Sequence, residues 1–143
     1  MAATSDDPHD LARFVTAQDR VWPNVLAELG RGAKATHWMW FVFPQHIALG
    51  RSETARQYGI ASADEARAYL RHPVLGSRLG ACTSLVLAVH GKTVRDIFGV
   101  PDDLKFCSSM TLFEHVARDQ PLFAQAIERC CGGRRDPRTL ALL

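Results

Sequence analysis

Apolar residues recur at helical spacing along most of the chain. Leu11, Phe14 and Val15 stand at positions i, i+3 and i+4, which is the stripe of an amphipathic helix. A wider apolar face between Leu75 and Val89 predicts the central core helix. No segment shows the sustained alternation of apolar and polar residues that is typical of a half-buried strand. The pattern therefore predicts a mostly helical protein.

Prolines and capping residues set the predicted ends of these helices. Pro23 disfavours helical geometry in the residue before it, so the first helix should bend or restart there. Ser62-x-x-Glu65 has the form of a capping box, which opens another helix. Further helix starts are predicted at Thr93, Pro101, Pro121 and Asp136. The apolar run 38–43 is ambiguous, because periodicity does not separate a buried strand from a buried helix over so short a segment.

Length and charge narrow the class of protein. The 143 residues match one domain, and we expect a flexible tail over residues 1–9 followed by one helical domain over residues 10–143. The run 38–43 is far shorter than the roughly 20 residues that a membrane-spanning helix needs. A net charge of +2 does not favour a nucleic-acid partner. Four arginines near the C-terminus are more typical of a solvated surface than of a phosphate site: Arg129, Arg134, Arg135 and Arg138.

The N-terminal segment is polar and has no apolar stretch of the kind that a secretory signal contains, so we expect a cytoplasmic protein. In that compartment the cysteines are predicted to be reduced thiols: Cys82, Cys107, Cys130 and Cys131. The sequence has no Cys-x-x-Cys pair and no two histidines at the spacing of a zinc-binding helix. It also lacks a glycine-rich phosphate loop and a dinucleotide fingerprint. We therefore predict no metal and no cofactor.

Two segments carry candidate chemistry. If residues 34–45 are helical, one stripe presents a cation, an imidazole, an indole and an amide, which could hold a planar or anionic group: Lys34, His37, Trp38 and Gln45. The alternative is that the aromatic residues of this segment are core and that a backbone carbonyl satisfies His37.

The second segment places Lys105, Ser108, Ser109 and Thr111 together on a predicted helix. Hydroxyl groups beside an ammonium group could form an oxyanion or phosphate site. A nucleophilic serine is not favoured, because no strand-turn-helix elbow surrounds these residues. The alternative is that the small hydroxyl residues allow close helix packing and bond to carbonyls four residues earlier.

Longer motifs resemble those of one bacterial family, the domain of unknown function 1810. The most specific is Gly32-x-Lys34-x-x-His37-Trp38-Met39-Trp40-Phe41-x-Phe43-Pro44-Gln45. The similarity covers about residues 11–143 and includes Leu49-Gly50-Arg51-Ser52, Ile97-Phe98-Gly99 and Ser108-Ser109-Met110-Thr111-Leu112-Phe113. The resemblance implies an all-α single domain of about seven or eight short helices, packed as an irregular orthogonal bundle, with helix over residues 38–43. It implies no established activity, and a calpastatin label used for such proteins has no support in this chain.

Charged and hydroxyl residues within such motifs point to a pocket, because buried charge is unfavourable unless it is paired or bound. The leading hypothesis is a site for a small anionic or nucleotide-like ligand, formed by the two segments. Its predicted ligand-binding residues are Lys34, Trp38, Trp40, Gln45, Arg51, Lys105, Ser108, Ser109 and Thr111. The sequence leaves open whether the protein is an enzyme; if it is, His37 is the predicted general acid or base. The alternative is a protein-interaction module whose exposed aromatic residues dock a partner.

Overall fold

Helices make up the regular structure of residues 7–143, which is the part of the chain that the computed structural model describes. The elements are α1 (Ala12–Gly30), α2 (Met39–Val42), a 3₁₀ turn η1 (Ile47–Leu49), α3 (Glu53–Gln57), α4 (Ala63–Arg71), α5 (Leu75–Ala88), α6 (Val94–Phe98), α7 (Asp102–Val116), α8 (Pro121–Cys130) and α9 (Pro137–Ala141). Within these residues the extended pairing is a single isolated bridge between His46 and Ile60. The predicted all-α fold is confirmed.

Helix α7 lies at the centre of the packing. It contacts α4, α6, α8 and α9, and the six consecutive residues 108–113 are all buried. A run of buried residues longer than one turn means that the helix is enclosed on every side. The predicted core helix, α5, packs against α1, α4 and α8. The sequence did not single out α7 because Ser108, Ser109 and Thr111 interrupt its apolar pattern.

The ambiguous run 38–43 contains one short helix. Trp38 precedes α2 with φ −140°, outside the helical region, and Phe43 follows it with ψ 72°. The helix implied by the family resemblance is therefore present for four residues only, and the continuous helix considered for residues 34–45 is wrong. Trp38 and Phe43 are both buried, so this segment inserts its aromatic rings into the core rather than presenting a stripe.

Two predicted helix boundaries differ from the structure. Pro23 lies inside the continuous helix α1, so the predicted restart of the helix is wrong. Pro23 and Asp19 are exposed, and water can therefore hydrate the Asp19 carbonyl that the missing proline N–H leaves without its helical partner. At α4, the Ser62 hydroxyl accepts a hydrogen bond from the Glu65 amide as predicted. The Glu65 carboxylate instead accepts from the amide of Ala61 and from Arg13.

The N-terminal residues that are described are held against the domain. Residues 1–6 of the predicted tail lie outside the described part of the chain. The Asp7 carboxylate accepts hydrogen bonds from the amides of Leu11 and Ala12, at 2.7 and 2.8 Å, and so caps the start of α1. Among the described helices, we find no stretch with the length and hydropathy that crossing a membrane requires.

The prediction of four reduced thiols is wrong for two of the cysteines. Cys107 on α7 and Cys131 at the end of α8 form a disulfide, with their Cα atoms 5.9 Å apart. These residues are 24 positions apart in the chain, and side-by-side packing of α7 and α8 brings them together. A pair so far apart in the chain has no local spacing motif from which it could be predicted. Cys82 and Cys130 are free thiols.

Candidate functional site

The structure brings part of the predicted site together as a lysine cluster, which consists of Lys34, Asp102 and Lys105 with the rings of Trp38 and Trp40. The Asp102 carboxylate lies 3.0 Å from Lys34 Nζ and 3.7 Å from Lys105 Nζ. Lys34 Nζ stands 5.2 Å from the centre of the Trp38 ring, and Lys105 Nζ stands 5.8 Å from that of Trp40. Four of the predicted ligand-binding residues, Lys34, Trp38, Trp40 and Lys105, therefore lie near one another around Asp102, and a ligand-binding role for them stays a prediction.

This cluster is closed and paired internally. The Lys34 side chain is only 7% exposed and is neutralised by Asp102, while Trp38 is fully buried. The Lys34 amide also donates to the Ile97 carbonyl at 2.8 Å. An ammonium group that is buried and neutralised by a carboxylate offers a ligand neither ready access nor net charge. The lysine cluster thus fastens the segment before α2 to the start of α7.

A buried carboxylate that the sequence analysis missed organises the same region. Glu28 Oε1 accepts from the amides of Ala35 and Thr36 and from Trp38 Nε1, and its Oε2 accepts from the Thr36 hydroxyl at 2.6 Å. Burial by itself would raise the pKa of Glu28, but the hydrogen bonds from Thr36, Ala35 and Trp38 outweigh it and lower the pKa to about 2. The sequence signal that could have identified Glu28 is its position three residues after Val25, on the apolar face of the first helix.

Three other predicted site residues lie elsewhere. His37 is exposed on the loop before α2, and Arg51 is exposed between η1 and α3. Gln45 is half-buried, and its backbone carbonyl accepts a hydrogen bond from the Ile60 amide at 3.0 Å. Because His37 is on the surface and Ser109 is fully buried, they do not face each other across an open hollow. The predicted single pocket formed by both segments is therefore wrong.

The hydroxyl groups of α7 bond within the protein. The Ser108 hydroxyl lies 2.6 Å from Asp136 Oδ2, to which it donates, and 3.1 Å from the Leu104 carbonyl. The Thr111 hydroxyl donates to the Cys107 carbonyl and accepts from the Asp136 amide. These bonds to carbonyls four residues earlier match the structural alternative for this segment. The two hydrogen bonds to Asp136 link α7 to the start of α9.

Ser109 differs from its neighbour in a way that predicts opposite mutational effects. Its hydroxyl is fully buried and has no hydrogen-bond partner, so Ser109→Ala should raise the free energy of unfolding by about 1 kcal/mol, or the melting temperature by about 4 °C. Ser108→Ala should lower it by about 1 kcal/mol, because the buried Asp136 oxygen loses a donor. Thermal denaturation of both variants checks this. Destabilisation by Ser109→Ala would mean that a buried water or ligand bonds its hydroxyl.

An open cleft lies beside these hydroxyl groups, between α7, the end of α8 and the start of α9. We call it the α7–α9 cleft; its volume is about 540 Å³. It is lined by Val94, Asp103, Leu104, Cys107, Ser108, Cys130, Cys131, Arg134, Arg135, Asp136, Pro137 and Arg138. The segment predicted around Ser108 therefore does border a cavity, but its counterpart is the C-terminal arginine segment.

The arginines of this cleft differ in how they are paired. Arg135 forms an ion pair with Glu114, with Nε 2.9 Å from Oε1. Arg138 Nε lies 3.5 Å from Asp136 Oδ1, and its side chain is 66% exposed. The exposed Arg134 side chain makes no hydrogen bond or ion pair with another residue of the described chain. Asp103 adds an acceptor, because its Oδ1 is buried without a hydrogen-bond partner.

A second cleft, of about 590 Å³, lies between the start of α1 and the end of α4. Two of its polar side chains are used for capping. Asp7 caps α1, and His72 Nδ1 accepts from the amides of Val74 and Leu75. The α7–α9 cleft is the stronger candidate site, because three arginine side chains and the unpartnered Asp103 oxygen line it. Across residues 7–143 we find no group of three potential metal-ligating side chains, and the absence of a metal stays a prediction.

The fold and the cleft define a helical protein with a basic, cysteine-lined cavity. The chain belongs to the family of proteins of unknown function called DUF1810, whose model matches residues 8–143, and the resemblance seen in the sequence is thereby confirmed. It is also similar to a solved structure described as the conserved hypothetical protein Rv1873 from Mycobacterium tuberculosis. The two are 52% identical with a TM-score of 0.94, over 96% of this chain and 98% of that chain. No curated protein matches the chain.

Proposed function

We propose that the protein binds a small anionic, nucleotide-like ligand in the α7–α9 cleft. The observation that carries this proposal is Arg134, a guanidinium group on the cleft wall that no described residue pairs. Arginine offers five N–H donors in a planar fork that matches phosphate or carboxylate oxygens. Arg138 supplies a second guanidinium group, since its contact with Asp136 is long and its side chain is exposed.

Asp103 supports a ligand that also carries hydrogen-bond donors. Its Oδ1 is buried without a partner, and a buried acceptor in that state costs roughly 1–3 kcal/mol. Because Asp103 lines the cleft, a donor group of a ligand in the cleft could bond to its carboxylate. A nucleotide combines amino or amide donors on its base with an anionic phosphate. The volume of about 540 Å³ is within the range of roughly 300–1,000 Å³ for small-molecule sites.

This proposal keeps the predicted ligand class and changes the residues that bind it. Ser108 lines the cleft but is 1% exposed and already bonded to Asp136, so it shapes the wall rather than donating to a ligand. The alternative of a partner docked on exposed aromatics has less support, because Trp38, Phe41 and Phe43 are all buried.

A thermal-shift screen with nucleoside monophosphates, sugar phosphates and dicarboxylates tests the proposal. A ligand at 100 times its dissociation constant should add about 2.7 kcal/mol to the stability of the folded protein, or about 8 °C to its melting temperature. The double substitution Arg134→Gln with Arg138→Gln should abolish that shift, because both exposed cations are lost. The unliganded melting temperature should change little, since neither arginine is buried.

The matched control is Arg67→Gln, an exposed arginine on α4 outside the cleft, which should leave the shift intact. Asp103→Asn should weaken the nucleotide response and spare the response to inorganic phosphate, which has no base to contact the carboxylate. A shift that survives the double arginine substitution, or a full screen without any shift, would contradict the proposal.

A further inference from the structure

Three cysteine residues line the α7–α9 cleft, and the proposed ligand site does not use them. Cys107 and Cys131 form the disulfide, and Cys130, directly before Cys131, is a free thiol. All three residues are half-buried and border the same cavity of about 540 Å³. A disulfide that is structural only is usually shielded from solvent, whereas an accessible one can be attacked.

We propose that the Cys107–Cys131 disulfide undergoes thiol–disulfide exchange with a small anionic thiol that enters the α7–α9 cleft. The cavity gives such a thiol a route to the sulfur atoms. Three arginines and two aspartates line the wall, so its charge is positive by one. Arg134, which no described residue pairs, and the exposed Arg138 favour negative charge, because cations lining a cleft raise the local concentration of anions. The activity uses the same cleft as the proposed ligand but does not require that a nucleotide-like molecule binds there.

The exchange proceeds in two steps, through a mixed disulfide between the protein and the small thiol. The thiolate of the small molecule attacks one sulfur atom of the pair and forms a mixed disulfide. The bond between Cys107 Sγ and Cys131 Sγ breaks, and its electron pair leaves on the other cysteine as a thiolate, which takes a proton from water. A second small thiolate attacks the small-molecule sulfur of the mixed disulfide and releases the remaining cysteine. Two small thiols are thereby oxidised to their disulfide, and the protein disulfide is reduced by two electrons.

The free cysteines of the chain are poor competitors for the attacking role. Burial raises the pKa of the Cys130 thiol and raises that of Cys82 to about 12, so both stay protonated near neutral pH. Cys82 is fully buried on α5, and the cavity does not include it. The attacking thiolate must therefore come from outside the protein.

Reduction would free the segment that carries Arg134. The disulfide anchors the end of α8 to α7 directly before Gly132 and Gly133. These two residues adopt φ values of 63° and 73°, which glycine adopts without strain. They turn the chain toward Arg134. With the bond open, this turn loses its covalent link to α7.

The test follows the reduction of the folded, oxidised protein by mass spectrometry after alkylation of free thiols. The probes are reduced glutathione, dithiothreitol and cysteamine, whose attacking thiolate forms carry net charges of about −2, −1 and 0. Each is compared at equal thiolate concentration because reactivity follows the thiolate. We expect glutathione to open the disulfide about tenfold faster than cysteamine. The double substitution Arg134→Gln with Arg138→Gln should remove that preference, and it should slow dithiothreitol, whose thiolate carries one negative charge, less than glutathione.

Two cysteine variants complete the design. Cys130→Ser should keep the wild-type rate, since this thiol is not the attacking group. Cys107→Ser, which leaves Cys131 unpaired, should form a mixed disulfide at Cys131 with oxidised glutathione. The proposal is overturned if glutathione and cysteamine react at equal rates, or if reduction occurs only at denaturant concentrations that unfold the protein. It is also overturned if Cys107 and Cys131 are alkylated in oxidised protein without any reductant. Each readout is independent of the thermal-shift screen, so the two proposals can fail separately.

Discussion

Glu28→Ala should lower the free energy of unfolding by about 3–4 kcal/mol. The substitution removes the acceptor for four hydrogen bonds, and a hydrogen bond to a charged group contributes a net of about 1.5–3 kcal/mol. Ala35 and Thr36 are exposed and can bond to water instead. Trp38 is fully buried, so its indole N–H would be left without a partner. Chemical denaturation measures the loss directly.

The same carboxylate should make stability depend on acid pH. The pKa of Glu28 falls from its ordinary value of 4.5 to about 2 in the folded protein. A group whose pKa is lower in the folded state stabilises fully above its unfolded pKa. This stabilisation is lost as pH falls from about 4.5 toward 2, and the shift corresponds to about 3 kcal/mol. Wild-type stability should therefore decline steeply over that interval.

Glu28→Gln is the matched variant for both effects. Its amide oxygen can still accept from Trp38, so we expect a loss of only about 1–2 kcal/mol at neutral pH. Because glutamine does not titrate, the decline between pH 4.5 and 2 should be shallower by the contribution of this one group. Equal pH profiles for wild type and Glu28→Gln would show that the Glu28 carboxylate does not make this contribution.

The helices could be predicted from the sequence where local chemistry alone sets their ends. Thr93 forms the full capping box with Asp96 that its position suggests, and Asp136 caps α9 ahead of Pro137. Pro23 was misread because its effect depends on exposure. An exposed proline on a helix that packs along one face leaves its unbonded carbonyl to water, and exposure is a property of the tertiary structure. The restart predicted there could not be tested from the sequence alone.

The candidate site was harder to predict because it depends on contacts between distant segments. Lysine, tryptophan and hydroxyl residues in one motif have the same composition whether they line a pocket or pair with one another. In the structure Asp102 neutralises Lys34, and Asp136 accepts from Ser108. Each of these two acidic residues lies far along the chain from the residue with which it pairs. Arg134, which stands free in the cleft, looked like an ordinary surface charge.

Asp136→Ala should lower the free energy of unfolding by about 3 kcal/mol and the melting temperature by about 10 °C. Its carboxylate accepts from the hydroxyl groups of Ser108 and Thr139, at 2.6 and 2.8 Å, and from the Arg138 amide. Ser108 and Thr139 are buried, so Thr139 would lose its acceptor away from water. The loss combines an N-cap with two buried hydrogen bonds, and α9 should detach first.

Asp136→Asn separates the cap from the charge. An asparagine oxygen can still cap α9, so we expect a loss of about 1 kcal/mol. Burial would raise the pKa of Asp136, but the hydrogen bonds from Ser108 and Thr139 and the Arg138 amide outweigh it and lower the pKa. Its stabilisation should therefore be present above the ordinary carboxyl pKa and lost in acid. Hydrogen exchange that stays slow in α9 of Asp136→Ala would show that packing, rather than this carboxylate, holds α9 and one wall of the cleft in place.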